Sequence, residues 1–98
     1  MRLKEFYYLD YPDYSPLDKT NAYTMMYVGI EEPDSVGVQT YAVTVYTLRY
    51  LEENYISRNI PFLAESVLII PELDDNYLKD YLSQSQNLQK IAEVGEIR

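Results

Sequence analysis

The side chains best equipped for chemistry in this chain are carboxylates and phenols. Sixteen Asp and Glu stand against eight Lys and Arg, twelve of the 98 residues are tyrosine, and there is neither histidine nor cysteine. Those two absences remove the commonest general base, the best nucleophile and the ligands of ordinary zinc sites. Carboxylates alone leave two reaction plans. Glu72, Asp74, Asp75 and Asp80 could hold calcium or magnesium, because hard cations prefer carboxylate oxygens. The glycine that sharpens a calcium loop is missing, however, and helix capping by Asp74 or Asp75 beside a solvated Asp80 accounts for the same residues. A carboxylate pair could also cleave a glycosidic bond, but that chemistry needs a deep sugar cleft that so short a chain has little bulk to build. Gly29, Gly37 and Gly95 are too dispersed for a phosphate loop or a dinucleotide motif. The expectation is a protein with no catalytic residue, no metal and no cofactor, which is not an enzyme.

The chemistry that remains is recognition. Acids or their amides recur beside tyrosines in Asp10-Tyr11, Asp13-Tyr14, Glu53-Asn54-Tyr55, Asn76-Tyr77 and Asp80-Tyr81. Tyrosine buries a large rigid area at small entropic cost, and carboxylates accept forked hydrogen bonds from arginine. Together they suit a basic partner. Three acidic patches are candidates: Glu31, Glu32 and Asp34 on a hairpin turn, Glu52 and Glu53 on a first helix, and Glu72, Asp74 and Asp75 at the start of a second. Tyr23, Met25 and Tyr27 share one side of a strand and offer the apolar centre. A formal charge of −8 repels phosphate backbones and anionic lipid and attracts basic proteins, so neither nucleic acid nor a membrane is expected as a partner. No run of about 18 apolar residues and no signal-peptide pattern is present, and without cysteine nothing points to an oxidising compartment. The cytoplasm is the expected location.

Elements must position these groups. Met1 to Tyr8 reads as a short strand, and Asp10 to Asp18, with two prolines, as a loop packed by its own tyrosines. Ala22 to Ile30 alternates, with Ala22, Thr24, Met26, Val28 and Ile30 on the side opposite the tyrosines. After the turn Glu31 to Gly37, Val38 to Thr47 resumes β character, so the two runs form an antiparallel hairpin. Thr47 can cap a helix whose Leu48, Leu51, Tyr55 and Ile56 form a stripe, ended by Asn59 and Pro61. Ser66 to Ile70 is nearly all apolar, as expected for a central strand buried on both faces. Asp74 or Asp75 can cap a second helix whose Leu78, Tyr81 and Leu82 share a face, and Leu88 to Val94 adds a last helical turn or two. Ninety-eight residues suit one domain, 1–98. The expected class is α+β, a mostly antiparallel sheet built on a hairpin, with two or three helices packed on one face.

Three stretches resemble a known family: a strand ending in Val28-Gly29-Ile30, the strand Tyr41-Ala42-Val43-Thr44-Val45-Tyr46-Thr47, and the helix start Leu48-Arg49-Tyr50-Leu51-Glu52-Glu53-Asn54. They are similar to the family-eight immunity proteins of bacterial polymorphic toxin and contact-dependent growth inhibition systems, over roughly Ala22 to Leu82. The resemblance implies a cytoplasmic protein that binds one cognate toxin C-terminal domain tightly and blocks it, protecting the producing cell. Such toxins are often basic nucleases, which an acidic inhibitor would meet rapidly through electrostatic steering. A small acidic adaptor or regulatory domain, joined to its partner by strand addition at the hairpin edge, is the alternative. Oligomeric state and strand order are open at this point.

Overall fold

The computed structural model describes residues 1–9, 17–33 and 37–97. Asp34, the pairs Asp10-Tyr11 and Asp13-Tyr14 and most of the expected tyrosine loop lie outside them.

The chain forms β1 (Arg2–Tyr8), β2 (Tyr23–Glu31), β3 (Val38–Thr47), α1 (Leu48–Leu51) running into a π-helical turn (Glu52–Ile56), β4 (Val67–Ile70), α2 (Asp75–Leu82), α3 (Ser85–Val94) and the two-residue β5 (Glu96–Ile97). One sheet has the order β1-β2-β3-β4, and β5 pairs with β3 beyond the end of β4. The first three strands are antiparallel and β4 runs parallel to β3. The fold is α+β with a mostly antiparallel sheet, as composition and alternation imply.

Strand alternation divides the sheet cleanly. Tyr8, Met26, Val28, Ile30, Tyr41, Val43, Val45 and Ile70 turn to one side and meet Leu78 and Leu82 of α2 and Leu88 and Ile91 of α3 in a single apolar cluster. Asp74 caps α2, accepting from the Tyr77 amide at 3.2 Å, and Lys19 reaches the same carboxylate at 3.1 Å. Asn87 ties the helices together by donating to the Tyr81 carbonyl at 2.9 Å. Gly95 ends α3 where an added Cβ would lie 2.7 Å from the Ile91 carbonyl oxygen and 3.0 Å from Tyr41 Cβ. Only glycine lets the chain pass that close into β5.

Three expectations need correction. Val67–Ile70 is an edge strand and not central, and Ile69 is half exposed. Its apolar run reflects two half-covered faces, Leu68 and Ile70 against the core and Val67 and Ile69 on the other side. The stripe on the first helix is broken, because the ladder widens after Leu51: the Ser57 amide reaches back five residues to the Glu52 carbonyl at 2.8 Å. Leu51 is buried, but Leu48 and Ile56 are 54% and 64% exposed. Finally, the β2–β3 hairpin edge is largely taken among the described residues, since β1 covers β2 and β4 and β5 cover β3 from Tyr41 to Thr47. Among the described residues the strands with one neighbour are β1, β4 and the short β5.

Candidate functional site

On the side away from α2 and α3 the register sets up rows of side chains. Tyr23 stands opposite Tyr46, which stands opposite Ile69; Met25 is opposite Thr44 and Val67; Tyr7 is opposite Tyr27, which is opposite Ala42. The first row is the most aromatic. Tyr23 and Tyr46 stack at 5.6 Å between ring centroids, and Tyr50 from α1 lies 4.9 Å from Tyr23 and 5.9 Å from Tyr46. Phe62 stands edge-on to both Tyr46 and Tyr55, at 5.2 and 5.1 Å. Residues 50–62 are therefore carried on this second face, whereas α2 and α3 seal the first.

Local chemistry explains how that segment is held. Thr47 is fully buried, and its hydroxyl takes the Ala22 amide at 3.0 Å and the Tyr50 amide at 3.4 Å. One side chain thus joins the start of β2 to the first helical turn, which brings Tyr50 over Tyr23. At the far end Asn59 adopts φ +57°, its amide bonded to the Ile56 carbonyl at 3.0 Å and the Ile60 amide to Tyr55 at 2.8 Å. This left-handed helix stop turns the chain back so that Phe62 reaches Tyr46 and Tyr55.

The face is partly uncovered. Tyr23 is 51% exposed, Met25 38%, Tyr7 42% and Ile69 50%, while Tyr27 is buried with its ring 5.2 Å from that of Tyr7. Burial raises the Tyr46 and Tyr50 phenols above the usual value of 10.0, and neighbouring tyrosines add to it, so these rings stay neutral well beyond physiological pH.

The acidic candidates divide into those already engaged and those that are not. Glu31 pairs with Arg2 and lies 3.9 Å from Lys4; Glu32 accepts from the Tyr41 hydroxyl at 2.8 Å. Glu53 accepts from Arg49 at 3.0 Å and from Asn21 at 2.6 Å. Asp74 serves the cap and Lys19, which hold its carboxyl below the usual 3.8, and Asp75 accepts from the Tyr8 hydroxyl at 2.6 Å. Much of the hairpin patch and of the α2 patch is thus spent on the fold itself. Among the described residues Glu52 and Glu72 have no ion pair, and neither do Glu5 and Glu96. Glu5 sits opposite Gly29, and Glu96 opposite Ala42, so both fall on the tyrosine face. Among the described residues no three acids converge in a way that could hold a metal ion.

Tyr23 and Tyr27, singled out from alternation, belong to this face; of the acids named at the turn Glu31 also falls on it, engaged by Arg2, while those named at α2 do not gather around it. Tyr55 was named beside Glu53 as a recognition tyrosine, whereas Glu5, Tyr7, Tyr46, Tyr50, Phe62 and Glu96 were missed. The same two-residue period would have found Tyr7 and Tyr46; Glu96 needed the pairing of β5, which no local pattern announces. Compared with family models, curated proteins and solved structures, the chain matches none of them.

Proposed function

We propose that this chain acts by binding one basic protein across its tyrosine face, and that the partner is the C-terminal toxin domain of a contact-dependent growth inhibition system, which it neutralises as an immunity protein in the cytoplasm of the producing cell. The observation that carries the binding reading is the asymmetry of the sheet: one face is sealed by α2 and α3, and the other presents stacked, half-exposed tyrosines edged by the unpaired carboxylates Glu5 and Glu96. Tyrosine faces attract lysine and arginine through the ring quadrupole as well as by area burial. A charge of −8 speeds encounter with a basic domain and repels nucleic acid, so the chain would cover a nuclease's phosphate-binding surface without binding its substrate. The toxin assignment rests on the likeness of Val28-Gly29-Ile30, Tyr41 to Thr47 and Leu48 to Asn54 to family-eight immunity proteins. In this fold those residues are the end of β2, the last seven residues of β3 and the start of the first helical segment. No helix is long and apolar enough to cross a membrane among the described residues.

The test is capture from the host with the tagged chain at low salt, followed by expression of whatever is retained. The expected result is one basic protein at equal stoichiometry, toxic when expressed alone and harmless when co-expressed with this chain. Several unrelated proteins released at modest salt would defeat the reading.

A further inference from the structure

Among the described residues β1 has a sheet neighbour on one side only, β2. Its register is interrupted between Leu3 and Glu5, where Lys4 is the extra residue of a bulge. The bulge decides what can pair with this edge. The Leu9 amide donates to the Met25 carbonyl at 3.1 Å, and antiparallel ladders alternate, so Met25, Tyr27, Gly29 and Glu31 point their backbone groups toward β1 and Met26, Val28 and Ile30 point away from it. Their opposite residues Phe6 and Leu3 then aim their own N–H and C=O groups outward. The side chains of Leu3, Phe6 and Tyr8 all pack toward the core, whereas Arg2 and Tyr7 share the face of Tyr27 and Glu31.

In a regular strand, residues three apart differ in both face and hydrogen-bonding direction. The bulge cancels that difference between Leu3 and Phe6. An ordinary partner strand is therefore out of step with this edge on one side of Lys4, while a second copy of the same bulged strand, turned by a two-fold axis between Lys4 and Glu5, is in step throughout. That axis places Leu3 opposite the second copy's Phe6 with both backbone groups outward, core side to core side. It places Lys4 opposite Glu5 twice, which supplies the unpaired Glu5 with a cation, and sets Arg2 across from Tyr7, a favourable cation and ring pair. A two-fold through Glu5 instead sets Leu3 against Tyr7 and mixes the faces; one through Phe6 leaves Leu3 outside the overlap.

We infer that β1 is a self-association edge, pairing antiparallel with β1 of a second copy about an axis between Lys4 and Glu5 to make one continuous sheet. Bulges and lysines on edge strands ordinarily guard against indiscriminate pairing. Here the same device admits one partner of matching geometry and charge. The seam also avoids the acidic repulsion of the molecule at large, since Arg2 and Lys4 balance Glu5 and the Glu31 beside them.

Sedimentation equilibrium of the full chain, its Lys4→Glu and Glu5→Lys variants and the double exchange tests the inference, with circular dichroism to show that each is folded. The wild type is expected to reach twice 11.6 kDa with rising concentration. Each single reversal, which sets like charges opposite one another twice, is expected to weaken the dimer at least ~10-fold, and the double exchange to restore it. A wild type that stays at monomer mass throughout the concentration range used for NMR overturns the inference. So do single variants that dimerise unchanged, and a double exchange no better than the singles.

Discussion

At the scale of single residues the fold turns on small polar groups whose work is to join segments. Thr47 is the clearest case, because its hydroxyl accepts from both the Ala22 and Tyr50 amides and donates to the Ala22 carbonyl, at 3.2 Å, with no access to water. Thr47→Val keeps the shape, leaves the Ala22 amide short of its side-chain acceptor and strips the helix cap. We expect a loss of about 2 kcal/mol, a drop in Tm of roughly 10 °C by thermal unfolding, and Tyr50 loosened from Tyr23. This role was half legible: the cap followed from a threonine before an amphipathic stretch, but the bond to Ala22 lies 25 positions away. The same separation in sequence hid the fate of the acids. Glu31 meets Arg2 across 29 positions and Asp75 meets Tyr8 across 67, so what reads locally as a free acidic patch is in the fold a set of engaged pairs. Asp74, by contrast, was readable as a cap because its first partner is three residues on.

At the scale of elements, alternation and turn chemistry located β2 and β3 well, because each buries one side against a core and the register follows from the period of two. The π turn and β5 were not legible. Nothing in Glu52–Ile56 departs from ordinary helix composition, and the widening serves contacts of Tyr50 and Tyr55 that exist only once β2 and β3 have paired. β5 is two residues held by Gly95's close approach to Tyr41, a tertiary fact without a local signature. The position of β4 failed for a related reason: an apolar run announces partial cover on two faces, not a place in the strand order. The left-handed stop at Asn59 yields a prediction at this scale. Asn59→Gly should be neutral or slightly stabilising, whereas Asn59→Val, β-branched at φ +57°, should cost about 1–2 kcal/mol in chemical denaturation and expose Phe62.

For the molecule as a whole, charge and phenols set the range of conditions in which it stands. The Asp74 carboxyl is held below 3.8 by Lys19 and the Tyr77 amide, so its contribution is present above that value and is lost as pH falls through the lowered one. Burial and neighbouring tyrosines raise Tyr46 and Tyr50, and burial followed by Glu32 raises Tyr41, so their contribution is complete below 10.0 and is lost as pH rises through the raised values. Stability should therefore fall off at both ends. Alkaline titration of phenolate absorbance should show a late-ionising group of tyrosines that merges with the rest on unfolding. The same neutral rings form the surface on which the functional account depends, and one comparison tests that account most directly. With the captured basic partner in hand, the dissociation constants of Met25→Lys, on the tyrosine face, and Gln89→Lys, on the exposed side of α3, would be measured against the wild type. Both substitutions add one positive charge to an exposed position, so net charge is controlled. The account predicts a loss of at least ~30-fold for Met25→Lys and a change within ~3-fold for Gln89→Lys. Equal effects, or a larger one at Gln89, would contradict it and place the partner elsewhere on the molecule.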